Sequence, residues 1–290
     1  MLPPKVEYFA PKTIEEACSL ALKYKEQAKF ISGGTDLLVQ VKHKDVLPRY
    51  IINIKDIGKD YITCDEKEGL RIGALATIHS VEVSSVIKEN FALLAQAASQ
   101  LGSAHIRRQA TITGNLCNAS PSAETAPALV VLGARLQIVG ADGERTVPIE
   151  SFFTGPGRTV LKPDEIVAEI QVPNLPPQSG GAYIKHSVRK AMDLAMVGVA
   201  AIVTMNGDVL SEVKIALGAV APTPIRAKRA EEVLRGKKIS DDLLQKAGQT
   251  ASDEASPIDD IRSSADYRRK IIKVLVARAV KQAVEQAKTG

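Results

Sequence analysis

The sequence of 290 residues has no tryptophan, and its aromatic rings come from only five phenylalanines and six tyrosines. No stretch interleaves these aromatic residues with basic ones, which is the pattern of a surface that stacks nucleic-acid bases. Lys and Arg number 38 against 33 Asp and Glu, and we expect this small excess to give a solvated, slightly basic surface. A non-enzymatic basic binding module stays open as an alternative, and a purified protein that lacks the colour of a bound cofactor and retains nucleic acid would indicate it.

Cysteine and histidine are also scarce, which bears on metal and redox chemistry. Cys18, Cys64 and Cys117 are too far apart to form a C-x-x-C pair, and their odd number argues against a disulfide framework. No two histidines stand four residues apart, as two metal ligands on one helix face would. The sequence therefore predicts no protein-bound metal.

Long apolar runs and the common nucleotide-binding fingerprints are absent as well. No run reaches the roughly 18 to 20 apolar residues of a membrane span, and the start, MLPPKVEYFAPKT, lacks the apolar stretch of a signal peptide. We therefore expect a cytoplasmic protein without a membrane span. The sequence also contains neither G-x-G-x-x-G nor G-x-x-x-x-G-K-[ST], so it predicts neither a Rossmann dinucleotide site nor a P-loop.

What is present is an alternation of helix and strand patterns. A capping box, Thr13-x-x-Glu16, predicts a helix over about 13–25, with apolar residues at helical spacing behind it. Asn206-Gly207 between two apolar runs is a strong hairpin signal. The other predicted elements are strands at 29–31, 50–54, 69–77, 166–172, 196–205 and 209–220, a hairpin over 134–147, and helices at 91–101, 225–235, 240–250 and 265–287.

Two stretches are predicted to be irregular. Residues 102–127 are rich in turn-forming residues and are expected to form a loop. Pro173–Gly181 contains three prolines and two glycines, which disfavour both helix and strand. We expect a domain boundary there, with one domain over 1–175, divided into lobes 1–56 and 57–175, and a second over 176–290.

Two small-residue loops are candidates for binding an anion. The first is Ser32–Asp36, between a predicted strand and a short helix, and its adjacent glycines would let backbone N–H groups approach a ligand such as a pyrophosphate closely. The second is Thr111–Asn115, which offers hydroxyls, an amide and one glycine. A common tight turn also explains either loop taken alone.

Together and in this order, the loops resemble those of the FAD-binding medium subunit of the molybdenum hydroxylases, the family of xanthine dehydrogenases and carbon monoxide dehydrogenases. The resemblance covers nearly the whole chain. It rests on five ordered blocks: FAPKT at 9–13, ISGGTDLL at 31–38, IRRQATITGNLCNASPSAETAPAL at 106–129, FFTGPGRTVLKPDEIVAEIQVP at 152–173 and AYIKHSVRKAMDLAMVGVA at 182–200.

The resemblance implies that the chain binds FAD noncovalently. The two loops match those whose N–H and hydroxyl groups hold the FAD pyrophosphate, and Glu124 matches an acidic residue near the ribitol or adenosine part. Leu101, Leu161 and Val167 match apolar positions near the flavin ring, with plain core packing as the alternative. Lys185 matches a lysine near the ring, with a solvated strand charge as the alternative. The implied cofactor-binding residues are Lys29, Phe30, Ile31, Ser32, Gly33, Gly34, Thr35, Asp36, Leu101, Thr111, Ile112, Thr113, Gly114, Asn115, Glu124, Leu161, Val167 and Lys185.

One position departs from the family pattern, which has two glycines where this chain has Thr113-Gly114. The Cβ of Thr113 either pushes the loop back or brings an extra hydroxyl. Arg107 and Arg108 precede the loop and either attract the phosphates or form a solvated basic pair. One branch of the family holds an additional iron–sulfur cluster in this subunit, and three dispersed cysteines cannot supply its ligands.

The resemblance further implies electron transfer inside a larger enzyme. A large subunit would oxidise substrate at a molybdenum cofactor, and a small subunit would relay electrons through two [2Fe-2S] clusters. FAD in this chain would collect them and pass them to NAD, oxygen or another acceptor. The molybdenum cofactor and the clusters are expected only in the partner subunits, and the assembly is expected to be a dimer of heterotrimers.

The fold expected from the patterns and the resemblance is α+β. It consists of a two-lobed FAD-binding domain of the PCMH type, followed by a C-terminal α+β domain with a small antiparallel sheet and helices. No residue of the chain is predicted to be catalytic or to bind a metal. The enzymatic alternative is a self-sufficient flavin-dependent oxidase or reductase, which a long lid or a catalytic base beside the flavin would favour.

Overall fold

A computed structural model describes residues 6–189 and 191–289. Residues 1–5, 190 and 290, which belong to the predicted domains and to the block at 182–200, lie outside the described part. The N-terminal segment forms a three-stranded parallel sheet in the order β1-β3-β2, flanked by helices. Its elements are β1 (Glu7–Phe9), α1 (Ile14–Tyr24), β2 (Ala28–Ile31), α2 (Leu37–His43) and β3 (Tyr50–Asn53).

Helix α1 confirms the capping-box prediction. The Thr13 side chain accepts a hydrogen bond from the Glu16 N–H at 3.1 Å, which satisfies one of the donors that an α-helix leaves free at its start. Ile14, Ala17 and Ala21 are on its buried face, and they pack against the sheet that follows. The apolar face thus fixes which side of α1 is turned inward.

The middle of the chain builds a five-stranded antiparallel sheet in the order β4-β5-β10-β6-β7 and a layer of short helices. Its elements are β4 (Ile62–Asp65), β5 (Gly69–Gly73), α3 (Ile78–Val83), α4 (Ser85–Asn90), α5 (Ala92–Ser99), α6 (Ala104–Gln109), α7 (Ile112–Cys117), α8 (Thr125–Val131), β6 (Arg135–Gly140), β7 (Gly143–Pro148), β8 (Phe153–Gly155), β9 (Arg158–Thr159) and β10 (Ile166–Val172). The sheet lies between two apolar cores, one shared with α1 and one shared with the short helices.

The prediction of a loop over 102–127 is wrong, because α6, α7 and part of α8 lie there. Ser103 caps α6 by accepting from the Ile106 N–H at 3.2 Å, and Thr111 caps α7 by accepting from the Gly114 N–H at 3.1 Å. Helices of six residues are too short to show an apolar period, so only their caps could have indicated them. Strand β5 also ends at Gly73, four residues before its predicted end.

The C-terminal part forms a four-stranded antiparallel sheet in the order β11-β12-β13-β14, covered by helices on one face. Its elements are β11 (Ser179–His186), β12 (Val197–Asn206), β13 (Val209–Gly218), β14 (Ile225–Arg226), α9 (Lys228–Leu234), α10 (Asp241–Glu254) and α11 (Ala265–Thr289). The other face packs on the helices of the middle part, which leaves β12 buried on both sides. The predicted hairpin and the predicted final helix are confirmed.

Strand β11 begins inside the stretch that was predicted to be irregular. Gly180 is required there because α11 crosses close to it: a Cβ at Gly180 would lie 2.1 Å from the Ala283 carbonyl oxygen. The outer edge of β11 is bonded to side chains instead of another strand. The Gly181 N–H donates to Gln286 Oε1 at 3.3 Å, and the Tyr183 N–H donates to Gln96 Oε1 at 3.0 Å.

Candidate cofactor-binding site

A cavity of about 850 Å³ opens where the three parts of the chain meet. This volume falls in the range of cofactor and small-ligand sites in proteins. Sixteen of the eighteen residues predicted to bind the cofactor line it, and Ile112 and Lys185 do not. Those that line it are Lys29, Phe30, Ile31, Ser32, Gly33, Gly34, Thr35, Asp36, Leu101, Thr111, Thr113, Gly114, Asn115, Glu124, Leu161 and Val167.

The first loop, Ser32–Asp36, connects the end of β2 to the start of α2. Gly34 has φ +74°, a left-handed conformation that glycine adopts without strain. The residue before α2, Asp36, makes no side-chain hydrogen bond to the first turn of the helix. The Leu38 N–H donates to the Gly34 carbonyl at 3.0 Å, and the remaining backbone donors of that turn, which lack a side-chain cap, suit a ligand oxygen.

Asp36 is held sideways instead of capping its helix. Its Oδ1 accepts a hydrogen bond from Asn118 Nδ2 at 3.1 Å, and Asn118 Oδ1 accepts one from Gln40 Nε2 at 3.4 Å. Burial raises the pKa of Asp36, and its contact with Thr35 opposes that shift only in part. Asn118 therefore joins α2 to the end of α7, and the sequence analysis did not single it out, although it lies within the block at 106–129.

The second loop is the capped start of α7, and a direct contact joins it to the first. Ser32 Oγ and Thr111 Oγ1 are 3.0 Å apart. Ile112 does not line the cavity, contrary to prediction: its side chain is fully buried in the core, and its N–H donates to the Ala76 carbonyl at 3.0 Å. Asn115 is tied to α8, since its Oδ1 accepts from Thr125 Oγ1 at 2.6 Å.

The structure gives a packing reason for Gly33 and for Gly114. A Cβ at Gly33 would lie 2.1 Å from the Gln109 carbonyl oxygen, so this glycine makes room for the protein backbone and not for a ligand. A Cβ at Gly114 would lie 2.7 Å from Thr111 Oγ1, the atom that caps α7. Gly33 lets the two loop segments approach each other, whereas Gly114 leaves room for the Thr111 cap within its own loop. A bulky replacement of either would disturb packing as well as binding.

Thr113, the departure from the family pattern, uses its hydroxyl internally. Its Oγ1 donates to the Ala74 carbonyl oxygen at 2.5 Å, and the residue is buried. Of the two expected effects, an extra hydroxyl is the one observed, and it serves the protein by joining α7 to the turn after β5. A buried carbonyl thereby gains a partner that glycine could not give it.

The two arginines predicted as a basic pair before this loop, Arg107 and Arg108, have different surroundings. Arg107 donates to both carboxylate oxygens of Glu82, at 2.7 and 3.1 Å, and to the Leu101 carbonyl at 3.1 Å. It is therefore neither solvated nor free to attract phosphates. Arg108 is exposed.

The three predicted apolar positions pack in or against the core and also form part of the cavity wall. Leu101 and Val167 are buried members of the large core, and Leu161 packs against that core. All three also line the cavity. The same three residues therefore pack in or against the core on one side and border the cavity on the other.

Lys185 is not a solvated strand charge. It lies on β11 with a side chain only 6% exposed, and its Nζ is 2.8 Å from Glu124 Oε1. Burial raises the pKa of Glu124, and the neighbouring Lys185 ammonium opposes this shift. Glu124 lines the cavity while Lys185 stands behind it.

The segment after β11 contributes residues that the sequence analysis missed. Met192, Asp193 and Leu194 line the cavity, and the two apolar side chains are exposed. They lie within the block at 182–200, but nothing in a single apolar residue next to an aspartate indicates that it borders a ligand cavity. The cavity also includes Cys117, whose pKa burial raises to about 12, so its thiol is protonated at neutral pH.

Comparison with known proteins agrees with this geometry. Residues 4–175 match the model of the FAD binding domain in molybdopterin dehydrogenase. The chain belongs to this family. Residues 182–283 match the CO dehydrogenase flavoprotein C-terminal domain.

Similar family members cover the whole length of this medium-subunit chain. A xanthine dehydrogenase FAD-binding subunit of Escherichia coli O157:H7 is 33% identical, over 97% of this chain and 96% of the relative. The carbon monoxide dehydrogenase medium chain of Hydrogenophaga pseudoflava is 32% identical, over 98% of each. A solved carbon monoxide dehydrogenase structure from the same organism superposes with a TM-score of 0.95 at 32% identity, over 99% of each chain. The expected α+β fold, an FAD-binding domain followed by a C-terminal domain, is confirmed.

The residues at the cavity of this family member fit FAD. The loops offer hydroxyls and uncapped backbone donors, which suit phosphate oxygens, and the wall around Leu101 and Val167 is apolar, which suits a ring.

Within residues 6–189 and 191–289, no three His, Cys, Asp or Glu side chains are grouped as a metal site would need. No helix in the same described ranges is long and apolar enough to cross a membrane.

Proposed function

We propose that this chain is the electron-transfer subunit of a molybdenum hydroxylase complex, taking electrons from [2Fe-2S] clusters of a small partner subunit and passing them to NAD, oxygen or another acceptor. FAD, when bound, supplies the capacity to accept and release those electrons. The partners would be a large molybdopterin-binding subunit and the small iron–sulfur subunit, assembled as a dimer of heterotrimers. The observation that carries the proposal is the cavity, lined by sixteen of the residues that the sequence predicts to bind FAD.

The work of the chain's own residues is to hold and shield the cofactor. Ser32, Thr35 and Thr111 would direct hydroxyls at the pyrophosphate, together with the uncapped donors at the start of α2. The apolar side chains of Leu101, Leu161 and Val167 would exclude water from one side of the ring.

Binding is tested by titrating the cofactor-free chain with FAD and following flavin fluorescence. FAD and ADP should compete, because both carry a pyrophosphate, whereas riboflavin should bind at least tenfold more weakly. Thr111→Val keeps the side-chain volume but removes the hydroxyl that lies next to Ser32 and caps α7, so it should weaken FAD more than riboflavin. A folded chain that takes up no flavin would refute the proposal.

Electron transfer is tested with the three chains produced together. The flavin in the complex should be reduced when the large subunit's substrate is added, and it should stay oxidised when the small subunit is omitted. Turnover of substrate by this chain alone would instead support the self-sufficient oxidase or reductase. The near-equal similarity to relatives named for xanthine and for carbon monoxide fits a subunit that does not itself select the substrate.

We also propose the domain division at residue 175, with lobes 1–56 and 57–175 and a second domain over 176–290. Two of the three apolar cores support it, since one joins the N-terminal elements to the five-stranded sheet and another belongs to the C-terminal part alone. The cytoplasmic location stays a prediction.

A further inference from the structure

One buried ammonium group connects three separate segments that border the cavity. Lys185 Nζ donates to the Gln100 carbonyl at 3.0 Å, to Glu124 Oε1 at 2.8 Å and to the Asp193 carbonyl at 2.6 Å. The three acceptors lie at the end of α5, at the start of α8 and in the segment after β11. Lys185 itself lies on the four-stranded sheet.

The three hydrogen bonds use the whole donor capacity of the side chain. A lysine ammonium carries three N–H groups and no acceptor, and here each has one partner. A buried charge is tolerated when it is paired and hydrogen-bonded, and the carboxylate of Glu124 supplies the pairing. The arrangement therefore has little freedom: moving any one of the three segments leaves a buried donor without its acceptor.

Each of the three segments contributes to the cavity wall. Leu101, which follows Gln100, lines the cavity, and so do Glu124 and Asp193. Lys185 does not line it, so any influence on a ligand passes through the residues that it holds. Lys185 is therefore one residue of the C-terminal sheet that bonds to all three wall segments.

We propose that Lys185 is a positioning residue that fixes three walls of the cavity from behind, so that FAD affinity depends on its three hydrogen bonds and not on contact with the cofactor. The proposal rests on the proposed function, because it concerns the site where FAD would bind. It differs from the expectation that this lysine lies near the flavin ring.

The charged surroundings of the pair make the proposal testable by pH. Tyr183 lies two residues before Lys185 on β11, and burial together with Glu124 raises its pKa well above the ordinary value, so it stays neutral. The Asp193 carboxylate is engaged by the Arg189 N–H at 2.9 Å and lies 3.7 Å from the Arg189 guanidinium. Lys185 is thus the cation that directly compensates Glu124 among the described residues.

Lys185→Met is the first test, with Lys238→Met as its matched control. Lys238 lies in the C-terminal part in an exposed pair with Asp208 and is remote from the cavity lining. Lys185→Met should weaken FAD at least tenfold, and Lys238→Met should leave the affinity unchanged. In the cofactor-free proteins, amide hydrogen exchange should rise in the peptides that contain Leu101 and Asp193 for Lys185→Met only.

The pH profile separates positioning from a general loss of packing. In Lys185→Met the buried Glu124 carboxylate has no cation, so FAD affinity should recover in part as the pH falls and Glu124 becomes protonated. The remaining defect, from the lost bonds to the Gln100 and Asp193 carbonyls, should not depend on pH. The double variant with Glu124→Gln should lose this dependence, because no charge remains to titrate. A uniform defect from lost side-chain volume would persist at every pH and in both variants.

Lys185→Arg keeps the charge but replaces one tetrahedral nitrogen by a planar group, which cannot reach three acceptors around a single atom. It should fold, weaken FAD and loosen the same two peptides, and it replaces Lys185→Met if that variant does not fold. Wild-type affinity and exchange in Lys185→Arg, or in Lys185→Met, would overturn the proposal. Failure of the wild type to bind FAD would instead refute the proposed function, while the exchange measurement would still decide the positioning role.

Discussion

Replacing Gly33 by alanine should damage this protein more than its small size suggests. The added Cβ would lie 2.1 Å from the Gln109 carbonyl oxygen, 2.8 Å from its carbonyl carbon and 2.9 Å from the Ala110 Cα. All three are backbone atoms, so no side-chain rotation can relieve the overlap. The Ala110 backbone leads directly into Thr111, whose hydroxyl is 3.0 Å from that of Ser32.

The size of the destabilisation by Gly33→Ala follows from how far the two backbone segments must move apart. Ordinary carbon contacts lie at about 3.5 to 4.0 Å, so one of the two backbone segments must move by more than about 1 Å. Overpacking of this kind costs about 1 to 3 kcal/mol, and the rigid backbone on both sides places Gly33→Ala at the upper end. Separating the loops by that distance should also break the contact between Ser32 and Thr111, and FAD affinity should fall at least tenfold.

The assay combines thermal unfolding with FAD titration. Gly58→Ala is the control, since Gly58 has φ +70° but nothing within 4 Å of its Cβ position, so that variant carries only conformational strain of about 1 to 2 kcal/mol. Gly33→Ala should unfold at a lower temperature than Gly58→Ala and should alone lose FAD affinity. Equal unfolding temperatures and unchanged affinity would refute the close-packing argument.

Three further outcomes are expected. Acid precipitation of the FAD-loaded chain should release the flavin into solution, because the cavity thiol of Cys117 is protonated at neutral pH and the attachment is noncovalent; colour in the pellet would contradict this. Thr113→Val should lower the free energy of unfolding by about 1 to 3 kcal/mol in urea, because the Ala74 carbonyl loses its buried partner; a neutral result would show that this bond contributes nothing. The hydrogen bond from Arg145 lowers the pKa of Glu165 below 4.5, so this pair contributes stability above about pH 4.5 that is lost as the pH falls through the lowered pKa. Glu165→Gln should therefore reduce the acid sensitivity of unfolding, and a pH profile identical to that of the wild type would reject that assignment.

The elements that could be predicted are those with a long or chemically explicit pattern. The local sequence alone is enough to predict the helix behind Thr13-x-x-Glu16, the Asn206-Gly207 hairpin and, from its apolar stripe, α11. The short helices α6 and α7 could not be found this way, since six residues complete fewer than two turns. Their existence depends on cap bonds and on burial that other parts of the chain provide.

The candidate site shows a similar division between pattern and context. The two loops were found from their small residues and from the family resemblance. The reasons for Gly33 and Lys185 were not, because each depends on atoms about 75 to 85 residues away in sequence, the Gln109 carbonyl and the Gln100 carbonyl. Met192 and Leu194 border the cavity only because β11 returns the chain to it.

The glutamine-bonded edge of β11 has a consequence for how this subunit can associate. An open strand edge invites addition of a strand from another molecule, which leads to aggregation or to uncontrolled polymers. Here Gln96 and Gln286 already occupy two of the outward N–H groups, and at the opposite edge β14 is only two residues long. The sheet is therefore protected against growth at both ends, and a chain built in this way can be present in excess of its partners without polymerising through its C-terminal sheet.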